Sequence, residues 1–225
     1  MTIGILECGT PPAPLGDTHG DYVDMVRRLL GPGRGTERYA VHRGEWPAEA
    51  AACEAYVLTG SSAGVYDDLP WIAPLFDFIR AARGRAKLVG ICFGHQAMAQ
   101  ALGGSAVKSP KGWGIGLHRY AVTAGAAWLD GGGEVRAAAS HQDQVVTAPP
   151  GARVVAANAF TPLAALDYGD AISFQFHPEF TRDFAVDLLR VRSDIYGGAT
   201  DAAVTSYAAP DDRARVAGWI FLDSA

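Results

Sequence analysis

Cysteine is scarce in this 225-residue chain. Cys8, Cys53 and Cys92 are too few and too scattered for a disulfide framework or a paired metal motif. A reducing, cytoplasmic compartment is the expectation. No apolar run approaches the roughly eighteen residues of a membrane span. Basic residues are in the minority: 19 Lys and Arg against 24 Asp and Glu give a formal charge of −5, which argues against a nucleic-acid surface. The opening stretch, MTIGILECGT, has no basic n-region and reads as a strand rather than a signal peptide. Repeats, low-complexity tracts and charge blocks are absent. So is a G-x-x-x-x-G-K-[ST] phosphate loop. No cofactor and no metal are expected, and neither a membrane nor nucleic acid is an expected partner.

What is present is a large apolar fraction, 49%, arranged in alternating strand and helix patterns. IGILE reads as a buried first strand, followed by a Pro/Gly loop over residues 9–20. DYVDMVRRLLG has helical spacing and stops at Gly31. ERYAVH and EAYVLTG read as the next two strands. LPWIAPLFDFIRAARG is a helix with Asp67 or Asp68 near its start, AKLVGI a strand, and residues 94–102 a helix. That order predicts an α/β fold with right-handed crossovers. From Val107 to Phe176 the runs shorten (GLHRYAV, EVRAAA, RVVAAN, LAALDY, AISFQF). They predict antiparallel strands at one side of the sheet. Helices are expected over 181–192 and 201–220. No linker divides the chain, so one domain over 1–225 is expected, with a core to about residue 195 and a helical extension over about 199–225.

Chemistry concentrates at one joint. Gly90-Ile91-Cys92-Phe93-Gly94 places a thiol where a strand turns sharply into a helix, the form of a nucleophile elbow. Glycines on either side remove the Cβ atoms that would collide where strand and helix cross. The helix N-terminus favours thiolate over thiol. The N–H of Phe93 would point at a carbonyl oxygen under attack from Cys92, half of an oxyanion hole. Cys8 and Cys53 have no such frame and read as small buried hydrophobes.

A base follows about 85 residues later, in AISFQFHPEF. His177 falls at the carboxyl end of a strand running from Ala171 to Phe176, where functional groups of such sheets gather. Pro178 holds His177 extended, and in an extended chain residues i and i+2 face the same way. Glu179 can then reach one imidazole nitrogen and aim the other at the thiol. The order nucleophile, base, orienter is Cys, His, Glu.

GICFGHQ together with HPEF resembles the class I (triad-type) glutamine amidotransferases, marked by G-x-C-x-G-x-Q and a later H-P-E. The resemblance spans roughly residues 3–189. It implies a three-layer α/β/α sandwich on a flavodoxin-like mixed sheet. It also implies hydrolysis of a γ-glutamyl amide through a γ-glutamyl thioester on Cys92, with ammonia released from glutamine, and a separate synthase subunit as a candidate partner. Gln96 matches the glutamine that helps hold the substrate's reacting end. LTGSSAGVYDD resembles the S-G-G-P-x-S-V loop that gives a second oxyanion N–H, with Gly60 and Ser61 in those positions. SHQDQV resembles the S-H-x-D-x-V segment that receives the substrate's α-amino and carboxylate groups, which implies substrate binding at Ser140 and His141. TGSSAGVYDDLPWI and LECGTPP look like the stand-alone GMP-synthase-like subgroup, a pattern shared by plant γ-glutamyl peptidases.

Three alternatives stay open. A free-standing γ-glutamyl peptidase is favoured by the lack of a fused acceptor domain. A non-catalytic binding module on the same fold is the second, and such a module should have lost part of the triad. A cysteine hydrolase of the dienelactone type expects nucleophile, acid, then histidine, against the order here. Weaker features read as structure first: LGPGRG as a helix cap and turn, DGGGE as a turn, His95 as a helix residue away from the chemistry, His42 and His118 as strand residues. Asp17, His19 and Asp21 form a loop cluster suited to substrate selection rather than metal. Trp113 in KGWG is placed at the site rim or in a turn.

Overall fold

The strands that read as apolar throughout are those buried on both faces. The computed structural model describes residues 2–123 and 129–221. Its elements begin β1 (Thr2–Leu6), α1 (Leu15–His19), α2 (Tyr22–Leu30), β2 (Gly35–Tyr39), β3 (Ala55–Leu58), α3 (Ile72–Ala82), β4 (Lys87–Ile91) and α4 (Phe93–Ala101). Then follow β5 (Ser105–Lys108), β6 (Gly114–Val122), β7 (Gly133–His141), β8 (Asp143–Thr147), β9 (Arg153–Ala157), β10 (Ala165–Asp167) and β11 (Ala171–Phe174). The chain closes with α5 (Arg182–Val191), α6 (Ser193–Tyr196), α7 (Thr200–Ser206) and α8 (Arg213–Phe221).

Nine strands form one mixed sheet in the order β2-β1-β3-β4-β11-β10-β9-β6-β7. The half from β2 to β11 is parallel, and β10, β9, β6 and β7 are antiparallel. This is the α/β sandwich expected. Alternation along β3 shows how both faces fill. Ala55 and Val57 join the layer that holds Val23 and Val26 of α2 and Val216 and Trp219 of α8. Tyr56 and Leu58 join the opposite layer, with Leu75 and Ile79 of α3 and Ala97 and Met98 of α4. A third apolar cluster, built on Tyr22, Phe180, Phe184 and Tyr196, seats the helices that follow the HPEF segment.

Several boundaries differ from expectation. The helix expected over 201–220 is two helices, broken around Pro210, which cannot donate a backbone bond and turns its predecessor from helical geometry. The break is fastened to the sheet: Arg136 N–H donates to Asp212 Oδ2 (2.8 Å), and Asp212 N–H donates to the Arg136 carbonyl (2.8 Å). The far end of the expected extension, residues 222–225, lies outside the described residues. The second strand stops at Tyr39, and His42 lies in a single turn of 3₁₀ helix, its Nδ1 2.9 Å from the Glu7 carbonyl, rather than in a strand. The loop over 9–20 contains α1. Strands β5 and β8 pair as a separate two-stranded sheet that no sequence pattern announced. Helix α3 begins at Ile72, well after Asp67 and Asp68. Gly133 and Glu134 of the DGGGE turn already belong to β7.

Glycine is demanded where α4 passes β3. A Cβ on Gly94 would fall 2.5 Å from the Leu58 carbonyl oxygen, a backbone atom that cannot swing away. Gly94→Ala is therefore expected to lower unfolding stability by about 1–3 kcal/mol, the range for overpacking, in a denaturant titration. An unchanged midpoint would show that helix and strand separate freely here.

Candidate active site

Cys92 follows β4 directly, and its N–H donates to the Phe174 carbonyl (2.8 Å), extending the parallel ladder to the sheet's carboxyl edge. Its backbone then turns abruptly, with φ 53° and ψ −102°, the one positive φ outside glycine among the described residues. Such geometry is costly for a residue with a Cβ and persists only when the surroundings impose it. Here they do. A Cβ on Gly90 would meet the Gly94 carbonyl at 2.6 Å, so both glycines of the motif are required for the elbow to close. The turn leaves Cys92 at the N-terminus of α4, next to the Phe93 N–H, which as the first of the helix has no acceptor within it.

His177 lies past the end of β11, which stops at Phe174 rather than running to Phe176. Beyond β11 the chain reaches β7, where the His177 N–H donates to the Ala138 carbonyl (2.9 Å) in an isolated antiparallel bridge. Its Nδ1 is 2.7 Å from Glu179 Oε1, with both side chains buried. The imidazole stacks flat on Phe180, with centroids 3.9 Å apart and planes 10° apart. Burial alone would lower the His177 pKa. The negative charges of Glu179 and Cys92 outweigh it and raise the pKa to about 10. Gly60 brings the two halves together: a Cβ there would lie 3.2 Å from His177 Cε1 and 3.8 Å from Cys92 Cβ. Sulfur, imidazole and carboxylate thus occupy one site, an arrangement able to attack a carbonyl carbon and return a proton to a leaving group.

A buried amide network supports the sulfur. Gln175 Nε2 lies 3.7 Å from Cys92 Sγ as a donor, and Gln175 Oε1 accepts from Gln96 Nε2 (3.2 Å). Gln96 Nε2 also donates to the Asp143 carbonyl (3.0 Å). Sequence reasoning missed Gln175, although its alternation with His177 and Glu179 was available in the pattern. The Gly60–Ser61 loop is fixed locally. Thr59 Oγ1 accepts from the Cys8 N–H and donates to the Gly60 carbonyl, and Ser61 Oγ accepts from the Ala63 N–H. Tyr66 donates to Asp143 Oδ2 (2.8 Å), latching this loop to β8.

These elements enclose a cleft of about 490 Å³ lined by Cys92, Gln96, Ser61, Ser140, His141 and Trp113, among others. Burial, and then the charge of His177, lower the His141 pKa to about 3, so this imidazole stays neutral while its Nδ1 contacts the Asp143 carbonyl (3.2 Å). Trp113 stands at the rim, its ring edge-on to Tyr196. The Asp17–His19–Asp21 cluster does not line this cleft. His19 pairs with Asp187 (3.0 Å), and Asp21 caps α2 and binds Arg38 (2.8 Å). His95 is buried under the elbow against Ser173 Oγ (2.7 Å), and burial lowers its pKa to about 3. Among the described residues, no three His, Cys, Asp or Glu side chains gather as metal ligands would, and no helix is long and apolar enough to cross a membrane.

The model of the class-I glutamine amidotransferase family matches residues 39–185, a span that holds the elbow, the Ser61 loop and the His-Pro-Glu segment. The chain belongs to this family. Gamma-glutamyl peptidase 4 of Arabidopsis thaliana is 32% identical over 183 residues, 76% of this chain and 73% of that protein. A glutamine-hydrolyzing GMP synthase of Thermus thermophilus is 36% identical over 129 residues, 56% of this chain but 24% of that enzyme. A solved glutamine amidotransferase from Methylobacillus flagellatus superposes with a TM-score of 0.72 at 22% identity, covering 100% of this chain and 93% of that one. At that identity the likeness is one of fold.

Proposed function

We propose that this class I amidotransferase-type protein, acting as a single domain, hydrolyses γ-glutamyl amides by covalent catalysis at Cys92. Cys92 Sγ bonds to the γ-carbonyl carbon, and the electron pair of the C=O bond moves to oxygen. The N–H groups of Phe93 and Ser61, with Gly60 shaping the second, stabilise that oxyanion, each worth about 3–4 kcal/mol by the measure of a known oxyanion donor. The C–N bond then breaks as His177 gives its Nε2 proton to the leaving amine. Water adds to the resulting γ-glutamyl thioester, the C–S bond breaks, and glutamate and the Cys92 thiol are released. Glu179 holds the imidazolium through Nδ1, while Gln96, Ser140 and His141 receive the γ-glutamyl group. The observation that carries this reading is the convergence of a strained elbow cysteine with a buried His177–Glu179 pair.

Two uses of this chemistry differ in the leaving group. With glutamine the product is ammonia, which a separate synthase would consume, a reading supported by similarity to part of a GMP synthase. With a γ-glutamyl peptide the product is an amine, and no partner is needed. The peptidase reading is supported by a relative matched over most of its own length, and by a cleft whose lining includes Trp113 and Arg192 as well as Cys92. Glutamate release from glutamine and from glutathione by the purified chain alone is the test. Turnover of glutathione above glutamine is the expected result. Turnover of glutamine only, rising on addition of a synthase, would select the ammonia-supplying role. Silence with both, together with no labelling of Cys92 by an alkylating glutamine analogue, would overturn the proposal.

A further inference from the structure

Two basic residues line the cleft, and among the described residues neither Lys108, which is exposed, nor Arg192 has a carboxylate within 4.0 Å. Arg192 is half-buried, with its backbone fixed: its N–H donates to the Leu188 carbonyl (3.1 Å), and its carbonyl accepts from the N–H groups of Ile195 (2.9 Å) and Tyr196 (3.2 Å). Among the described residues no carboxylate lies within 4.0 Å of its guanidinium and no side-chain hydrogen bond holds it. Neighbouring arginines are otherwise placed, Arg190 on Asp187 and Arg213 on Asp211. The acidic side chains of the cleft are also occupied: Asp143 accepts from Tyr66, and Asp67 accepts from the Gly64 N–H (2.8 Å).

The side of the sulfur on which Arg192 stands is the informative point. Tyr22 stacks on Phe180 (6.1 Å, 22°), and Phe180 stacks on His177. Arg192 closes α5, whose Phe184 and Leu188 pack in one cluster with Tyr22 and Phe180, so its backbone stands at the end of the helix seated on this aromatic stack. The leaving amine takes its proton from His177, so whatever is attached to that amine extends along the His177 wall. Lys108, the other basic residue of the cleft, is on β5 opposite Asp143, on the side of Gln96, the residue assigned above to the γ-glutamyl group.

We propose that Arg192 is a specificity residue for a carboxylate on the leaving group, so that the preferred substrates are γ-glutamyl peptides with a free C-terminal carboxylate. The proposal rests on the γ-glutamyl hydrolase reading above. A planar guanidinium with its donors unused matches a carboxylate in a paired, charge-assisted contact, and a half-buried site strengthens it. Glutamine, whose leaving group is ammonia, gains nothing from it.

The test compares kcat/KM for γ-glutamylglycine, γ-glutamylglycinamide and glutamine in the wild type, Arg192→Gln and Arg192→Lys. The wild type is expected to favour the acid over the amide by about 10- to 100-fold, the usual worth of a hydrogen bond to a charged group. Arg192→Gln should bring that ratio close to one, and Arg192→Lys should restore part of it. A ratio unchanged by Arg192→Gln overturns the proposal. So does an equal loss on glutamine, which would put the guanidinium on the α-carboxylate common to all three substrates. A wild type that hydrolyses all three with an acid-to-amide ratio near one ends this inference and leaves the hydrolase reading standing. A wild type that hydrolyses none of them removes both.

Discussion

Cys92→Ala is expected to lose γ-glutamyl hydrolysis by at least about 10⁴-fold, because the bond-forming atom is gone and only the binding and oxyanion contributions remain. Folding should survive the change. The informative companion is Cys92→Gly. In ordinary structure, alanine to glycine costs about 0.5–1 kcal/mol. At position 92 the sign should reverse. A backbone at φ 53° and ψ −102° penalises any Cβ, and strain of this kind is worth about 1–3 kcal/mol. Both variants lack the sulfur, so their difference is the strain less the ordinary cost of glycine. Cys92→Gly should therefore melt at higher temperature than Cys92→Ala in thermal unfolding. A glycine variant less stable than the alanine variant would show that the elbow is relaxed, and that the thiol is not held out by backbone geometry. Residual turnover in Cys92→Ala near wild-type rates would end the covalent mechanism.

The elbow was legible in sequence because its constraints are local. Strand, nucleophile and two glycines lie within five consecutive residues, and the reason for each glycine is a contact made inside that turn or against the adjoining strand. The His-Pro-Glu segment was legible for the same reason: the i, i+2 rule operates within the segment. The bridge from His177 to Ala138 was not legible, because it joins chain segments nearly forty residues apart through backbone atoms that carry no side-chain signal. Gln175 was overlooked although its neighbours were read, since a glutamine in an apolar strand has many structural uses and only the approach of Cys92 Sγ selects one. The break between α7 and α8 shows the converse. Apolar periodicity runs through it; Pro210 breaks the helix, and the two hydrogen bonds exchanged with Arg136 on the neighbouring strand, which no local pattern announces, hold the break against the sheet. Arg192 stood in a helical pattern like any other charged residue. Its interest comes only from the missing partner, which is a property of the folded surroundings.

Glu179→Gln is the second large effect expected, a fall in kcat of about 10²–10⁴-fold, by analogy with loss of the orienting carboxylate in other triads. The substitution keeps the shape and a hydrogen-bonding oxygen but removes the charge. That charge is a principal reason His177 stays protonated despite burial, and burial is the largest opposing influence. With glutamine in place, desolvation acts with less opposition and the imidazole pKa falls. Two consequences separate this from simple damage to the fold. In the wild type, the folded His177 pKa of about 10 lies above the ordinary 6.5, so its stabilising contribution is complete below pH 6.5 and is lost as pH rises through about 10. In Glu179→Gln that alkaline loss should begin at lower pH. The alkaline limb of kcat/KM should move the same way, because fewer molecules hold the proton that the leaving amine needs. Measuring both limbs decides the matter. A reduced rate with the alkaline limb unmoved would mean that Glu179 only orients the ring, and that the protonation of His177 rests on Cys92.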